Sequence, residues 1–382
     1  MNTKTWVFPI STILILLLLS ACGNAQNTNT DSYPNEDNPV TETVMPITQE
    51  ILTEKAEILP QNYSDIIIQG DYYEADGMVY KNDTFFTIAH HAETYEDSYR
   101  FYSDIIKVEL NGKEPTKKQI TPPFVQGQEG SFSIYSGLKM TPDGAMCALK
   151  INAESYNSEY GYSDYEFKYS VVSFDDSLNE SIVFDISSAI EKSDEIDHQY
   201  GNDLEIKEFL IDKDNVLYLV SHYFVYVFDI KTDEFIYLVT TYDEEGDPWF
   251  DHLFIYDGKA AVDTHLTLTP TDDDKNMVGE QLRILDSQNR GYGEYYDLRP
   301  TTFVGGLLSG NETYPIIVSN GENLSSFDPK TSEFTPLVDF EALGLEIYPE
   351  NITILQDVIY VTSIEKDDTT NKRVIKMRNF VY

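Results

Sequence analysis

Positive charge is scarce in this chain of 382 residues: 26 Lys and Arg stand against 66 Asp and Glu, a formal net charge of −40. That balance excludes nucleic acid as a partner and any polybasic grip on anionic lipid, because both repel an acidic protein. Cysteine is nearly absent, at two residues, so neither a disulfide framework nor a Cys-x-x-Cys site can be built. Tryptophan is equally rare, and long apolar runs are confined to the N-terminus. Several signatures are missing outright: His-Glu-x-x-His, the phosphate loop Gly-x-x-x-x-Gly-Lys-Ser/Thr, Gly-x-Gly-x-x-Gly and the Gly-x-Ser-x-Gly elbow. Ser136-Gly-Leu-Lys139 and Ser363-Ile-Glu-Lys366 fit Ser-x-x-Lys, but the partner motifs Ser-Asp-Asn and Lys-Thr-Gly are lacking, so both read as chance. Disorder is excluded as well. A chain with 41% hydrophobic and 13% aromatic residues, among them 28 Tyr and 20 Phe, has the material of a packed core.

What is present begins with an address. Residues 6–19 form an apolar run of 14 residues. It is shorter than the roughly 20 needed to cross a bilayer and suits the core of a signal peptide. It ends in Leu19-Ser20-Ala21-Cys22, which resembles the lipobox of bacterial lipoproteins. The resemblance implies cleavage before Cys22 and attachment of diacylglycerol to its thiol. The competing reading is an ordinary signal peptide with a coincidental cysteine. Cleavage removes Lys4 and no acid, so the mature charge is 25 − 66, or −41. Two acyl chains hold a protein to a membrane without basic residues, so the membrane is expected as a partner through lipid alone. Gly23 stands where an inner-membrane retention Asp would, and the acidity favours a Gram-positive type of cell surface over an outer membrane. Cys147, within Ala145-Met146-Cys147-Ala148-Leu149, is then the sole free thiol and is expected as a small buried residue. Residues 22–61, with Pro34, Pro39 and Pro46, read as a flexible linker; a short helix over residues 48–58 is the one element they offer.

From residue 62 the texture is all-β. Short runs rich in Val, Ile, Tyr and Phe alternate with turn residues, and residues 186–192 are the main helical stretch. An internal repeat organises them. Phe228-Asp-Ile-Lys-Thr-Asp-Glu-Phe235 recurs as Phe327-Asp-Pro-Lys-Thr-Ser-Glu-Phe334, identical at six of eight positions and 99 residues later. Each copy is a strand ending in an aromatic, a turn opened by Asp, and a strand resuming at Phe. Weaker versions put such turns at residues 111, 175, 229, 286, 328 and 379. A second set of turn dipeptides keeps the same beat: Asp76-Gly77, Asp143-Gly144, Asp214-Asn215, Asp257-Gly258, Gly310-Asn311 and Gln356-Asp357. Two turn signals per unit with four short strands describe propeller blades. The run resembles the quinoprotein-like and related repeat propellers of bacterial envelope proteins. The resemblance implies a β-propeller over residues 62–382 of about six four-stranded blades, seven if a long insert hides one. Residues 65–69 would supply the missing outer strand of the last blade and close the ring. A β-sandwich pair or an irregular meander is the alternative.

Candidate site residues are few. The tyrosines Tyr156, Tyr160, Tyr162 and Tyr165, in what reads as a long loop over residues 153–167, are the expected ligand-binding group, since Tyr offers a flat ring with a wet end. Asp272, Asp274 and Asn276 have the first spacing of an acidic calcium loop, but Met277 and Arg283 replace the Gly and Glu that a helix–loop–helix site needs. No metal or other cofactor is therefore expected, calcium at that loop being the one cation considered. His90 and His91 end a strand and point to opposite faces; His222 and His252 read as packing or surface residues. No catalytic residue is assigned. The preferred function is a non-catalytic binding or scaffold propeller, monomeric, presenting a face to a protein, peptide or glycan. The alternatives are a propeller enzyme acting on envelope or extracellular glycan, and an envelope assembly or sensory factor. A funnel with convergent Glu, His and Arg would favour the enzyme.

Overall fold

The computed structural model describes residues 60–381 except 61, 96–97, 111, 126–130, 158–162, 194–204, 242–248, 268–277, 287–290, 298–306, 310–312, 315, 320 and 356–357. Cys22 and residues 23–59 of the linker lie outside the described residues. No helix among the described residues is long and apolar enough to cross a membrane. The strands form six antiparallel sheets arranged as the blades of a propeller. A first strand, β1 (Tyr63–Ile68), precedes the blades. Blade 1 holds β2 (Tyr72–Lys81), β3 (Thr84–Tyr95), β4 (Ser98–Glu109) and β5 (Thr116–Gln119), with β6 (Phe124–Val125) also on β4. Blade 2 holds β7 (Ser131–Met140), β8 (Met146–Asn157), β9 (Ser163–Phe174) and β10 (Glu180–Asp185), followed by helix α1 (Ile186–Lys192). Asp185 caps this helix by accepting from the Ser188 amide at 3.0 Å. Blade 3 is β11 (Glu208–Ile211), β12 (Val216–Val220), β13 (Phe224–Asp229) and β14 (Glu234–Thr240). Blade 4 is β15 (Trp249–Tyr256), β16 (Lys259–Thr267), β17 (Val278–Asp286) and β18 (Gly291–Asp297). Blade 5 is β19 (Leu307–Ser309), β20 (Ile316–Ser319), β21 (Asn323–Asp328) and β22 (Glu333–Asp339). Blade 6 is β23 (Asn351–Leu355), β24 (Val358–Lys366) and β25 (Arg373–Val381), completed by β1.

Both faces of a blade are covered by its neighbours, which is why strands such as β13 read as unbroken apolar runs instead of alternating ones. Six buried clusters fill the six seams. Phe209, Tyr226 and Phe228 meet Leu149 and Val171 between blades 3 and 2, and Phe254 and Tyr256 meet Ile316 and Phe327 between blades 4 and 5. Cys147 lies in the first of these seams, 1% exposed, with burial pushing its thiol up to about 11. It is the buried small residue that the sequence implies.

The ring closes as the sequence suggests. β1 pairs with β25 in the register Asp65↔Arg378 and Ser64↔Asn379. Ser64 N donates to Asn379 Oδ1 at 3.1 Å, and Arg378 Nε lies 3.3 Å from Asp65 Oδ1. Two turn assignments need correction. Position 379 lies inside β25, because the closing strand replaces the fourth-strand turn found in other blades. Asp76-Gly77 is not a turn either; it lies inside β2, and the turn to β3 is made by Asn82 and Asp83 at φ 52° and 55°.

Each of the blades runs outward from its inner strand, so β2, β7, β11, β15, β19 and β23 line the central channel in one direction. Their N-terminal ends share a rim with the blade-to-blade connections. The short turns between first and second strands lie at the other rim.

Candidate functional site

The channel wall is shaped by bulges. β2 shifts register on β3 between Asp76 and Met78, where Gly77 takes φ +78°, open to glycine without penalty. Blade 6 clasps this bulge: Asn351 Nδ2 donates to Ala75 O, and Asn351 Oδ1 accepts from Gly77 N, both at 2.8 Å. Thr87 Oγ1 donates to Gly77 O at 2.8 Å from the other side. β7 has a second bulge between Ser136 and Lys139, and β15 a third between Phe250 and Leu253.

Charged side chains from these strands converge. Ser136 Oγ donates to Asp76 Oδ2 at 2.7 Å. Burial pushes the Asp76 carboxyl above its ordinary range; the Ser136 and Gly137 hydrogen bonds oppose the rise, and the charge of Glu208 adds to it. Glu350, at the entry to β23, is raised to about 7 by burial and then by Asp76. Glu208, at the head of β11, behaves in the opposite sense. Lys139 pairs with its Oε1, the Leu253 amide donates to Oε2 at 2.8 Å, and His252 Nδ1 lies 3.5 Å from Oε2. Burial disfavours its charge, but Lys139 and His252 prevail and hold it at about 2.

Acids and bases then alternate into blade 4. His252 Nε2 is 3.7 Å from Asp251 Oδ2, Asp251 Oδ2 is 3.5 Å from His265 Nε2, and that nitrogen is 3.3 Å from Asp263 Oδ2. Burial works against both imidazolium charges, yet the carboxylates outweigh it. His252 rises to about 9, chiefly through Glu208, and His265 to about 10 through Asp251 and Asp263. His252 keeps 45% of its side-chain surface open. Trp249 stacks on His265 at 5.1 Å and on His222 at 6.0 Å, and Lys207 Nζ lies 3.1 Å from His222 Nδ1. Such a mouth can hold one carboxyl protonated beside another kept ionised, which is the equipment of general acid–base chemistry.

Of the residues expected from sequence, the structure describes the backbone of some and not of others. Residues 153–157 and 163–167 are strand, so the expected tyrosine loop is the end of the β8–β9 hairpin, with Tyr156 opposite Asp164 and Tyr165 opposite Ser155. Tyr160 and Tyr162 lie outside the described residues, as do Asp272, Asp274 and Asn276. Among the described residues no group of three or more His, Cys, Asp or Glu is arranged to hold a metal ion. His90 and His91 do part to opposite faces, His90 to Ser103 and His91 to Asp104. His252, read as a packing or surface residue, stands in the channel mouth. Ser136 and Lys139 are brought to the mouth too, not as a nucleophile and its base but as partners of Asp76 and Glu208. A cleft of about 540 Å³ at the short-turn rim between blades 2 and 3, lined by Pro142, Cys147, Ile211 and Ile230, contains none of these groups.

Fold and mouth together define a six-bladed β-propeller with an acid–base channel. No family model matches the chain. No curated protein matches it. Solved structures do. An α-L-arabinofuranosidase from Fusarium graminearum is 10% identical, covering 84% of this chain and 98% of its own, with a TM-score of 0.41. A glycosyl hydrolase from Bacteroides ovatus is 9% identical over 81% and 84% of the two chains, TM-score 0.39. The calcium-binding protein regucalcin from Agrobacterium tumefaciens is 11% identical over 83% and 95%, TM-score 0.42. The likeness is one of fold alone. The expectation of a non-catalytic binding or scaffold module is nonetheless corrected. Among the described residues this chain's own mouth gathers carboxyls, imidazoles and a lysine from neighbouring blades, the convergence that favours an enzyme.

Proposed function

We propose that this protein hydrolyses glycosidic bonds of an extracellular or envelope glycan at the channel mouth. One observation carries the reading: neighbouring blades bring carboxyls of opposite proton affinity to one opening, Asp76 and Glu350 held up and Glu208 held down. Glycoside hydrolysis needs that division between a carboxyl that gives a proton and a carboxylate that does not take it. In this reading Glu350, held to about 7 by burial and by the Asp76 charge, is the general acid at the leaving oxygen. Asp76, whose negative charge helps to hold that proton on Glu350, draws one from the attacking water. Glu208, fixed by Lys139, His252 and the Leu253 amide, supplies the negative charge that faces the positive charge growing on the sugar. The anchor belongs to the same proposal. Leu19-Ser20-Ala21-Cys22 supports attachment of a monomeric enzyme by lipid to a cell surface, where envelope glycan is the nearest polymer.

The test is to incubate the full-length protein in detergent with arabinan, xylan and peptidoglycan strands and to count new reducing ends. Release by the wild type that falls about 100-fold or more in both Asp76→Asn and Glu350→Gln is the expected result. No release from any of these polymers, or release that both variants retain, would overturn the proposal.

A further inference from the structure

The two carboxyls of the proposed chemistry come from different blades, Asp76 from β2 of blade 1 and Glu350 from the entry to β23 of blade 6, and one side chain ties their frames together. Asn351 follows Glu350 directly and opens β23. Its Nδ2 donates to Ala75 O and its Oδ1 accepts from Gly77 N, each at 2.8 Å. Those two atoms belong to the peptide groups on either side of the Asp76 Cα, so one carboxamide fixes both backbone rotations of that residue. The Asp76 side chain is fixed separately, by Ser136 Oγ at 2.7 Å. The other end of the clasp is as firm. Asn351 Nδ2 also donates to Thr362 Oγ1 at 3.2 Å, Glu350 N donates to Thr362 O at 2.8 Å, and Thr362 is 1% exposed. The seam around these bonds is filled by Tyr72, Ala75 and Phe85 against Tyr360 and Ile375. A carboxamide is desolvated there at a cost, and this one is matched, donor and acceptor, to the bulge that carries Asp76.

We infer that Asn351 is a positioning residue that sets the spacing of Asp76 and Glu350, gripping the peptide groups around the one while joined by a single peptide bond to the other. The role rests on the reading of Glu350 as the acid and Asp76 as the base. Spacing matters to that chemistry because the attacking water has to fit between the base and the sugar, and a misplacement of about 1 Å can cost about 100-fold in rate. The carboxamide suits the part in one orientation. Turned over, its N–H groups would face the Gly77 N–H and its oxygen the Ala75 oxygen. Neither a carboxylate nor an aliphatic side chain of the same size offers a donor and an acceptor together. Asn351 acts through the backbone and moves no proton. The titratable groups around the pair come from several elements. Lys139 on β7 and Glu208 on β11 act on Asp76, His90 Nε2 on β3 lies 4.0 Å from its Oδ2, Tyr73 on β2 feels its charge, and Asp76 in turn acts on Glu350.

The experiment needs no substrate. Glu350 titrates at about 7, apart from ordinary glutamates near 4.3. Its ¹³C carboxyl signal therefore stands clear in the full-length protein in detergent and is assigned by its loss in Glu350→Gln. Asp76→Asn is expected to lower the Glu350 midpoint by roughly half a pH unit or more in the wild-type background. In the Asn351→Leu background, where the two carboxyls are no longer held together, the same change is expected to be less than about half as large. Thr353→Val removes a longer contact of the same strand, with Met78 O at 3.5 Å, and is expected to leave the full shift. A shift of equal size with and without Asn351, or no shift in either background, overturns the inference. Asn351→Ser, whose single hydroxyl cannot span both peptide groups, serves if Asn351→Leu does not fold. Amide exchange in the wild type needs no variant at all: the Gly77 N–H is expected to exchange roughly 100-fold or more slowly than an open amide, and exchange at the open rate would remove the clasp. Because the main readout is a titration, coupling that depends on Asn351 without cleavage of any polymer would refute the hydrolase reading and leave the clasp standing. Cleavage that falls in Asp76→Asn and Glu350→Gln, with a shift indifferent to Asn351, would do the reverse.

Discussion

Replacing Gly77 by alanine would set a methyl carbon 2.3 Å from the backbone nitrogen of Leu138 and 2.4 Å from its carbonyl oxygen. Those atoms belong to β7, the inner strand of the next blade, and cannot swing aside as a side-chain tip would. The residue also takes φ +78°, where an alanine Cβ meets its own carbonyl at a cost of about 1–2 kcal/mol. Forcing β2 and β7 apart adds about 1–3 kcal/mol of overpacking. The sum is roughly 2–5 kcal/mol, and a domain this large loses about 2 °C of melting temperature per kcal/mol, so a fall of roughly 4–10 °C is expected. Gly144→Ala is the control. It has φ +84° but nothing within 4 Å of the added carbon, so it bears the backbone term alone. Calorimetric melting of both variants decides the matter. If Gly77→Ala melts no lower than Gly144→Ala, the close approach of β2 and β7 is wrong, and with it the bulge that aims Asp76 into the channel.

Arg378→Ala would strip the buried guanidinium that ties β1 to the last blade through Asp65, Glu365 and Ser363. A loss of about 3 kcal/mol is expected in urea unfolding, and an unchanged midpoint would remove the latch role. Deleting residues 64–70 should destabilise the ring further by exposing β25, and an unaltered melting temperature would argue against closure by β1. Alkaline pH should weaken the fold. His252 and His265 are raised to about 9 and 10, so their stabilising charge is complete below the unfolded value near 6.5 and is lost as pH climbs through those folded values. Melting at pH 7, 8, 9 and 10 should therefore fall, and less steeply in His252→Gln; equal slopes would count against the Glu208–His252 pair. Cys22→Ser should move the protein from the membrane to the soluble fraction on cell fractionation, and continued sedimentation with membranes would sink the lipid anchor.

The architecture was legible in the sequence because it is written in local turn chemistry. The repeated octapeptides fall in blades 3 and 5, and their turns use the same bond: Asp229 Oδ1 accepts from Lys231 N at 2.8 Å, and Asp328 Oδ1 from Lys330 N at 2.9 Å. Even a mismatch between the copies keeps its conformation, Asp233 at φ 54° answering Ser332 at φ 57°. A side chain that binds its own backbone two residues on needs no tertiary context. Asp76-Gly77 shows where that logic ends. The dipeptide favours a tight turn in isolation, but Asn351 and Thr87, brought by other strands, convert it into a bulge within a strand. The mouth was invisible for the same reason. Asp76, Glu208, His252 and Glu350 share no motif, and each alone is one more acid or an ordinary histidine in a chain carrying 66 carboxylates. Alternating strands and Asp-opened turns are properties of neighbours along the chain and can be read there, and the closing strand could be inferred only from the strand that the last blade was missing. Which acids meet, and which of them keeps a proton, was decided only when the ring closed and burial set one carboxyl against another across blades.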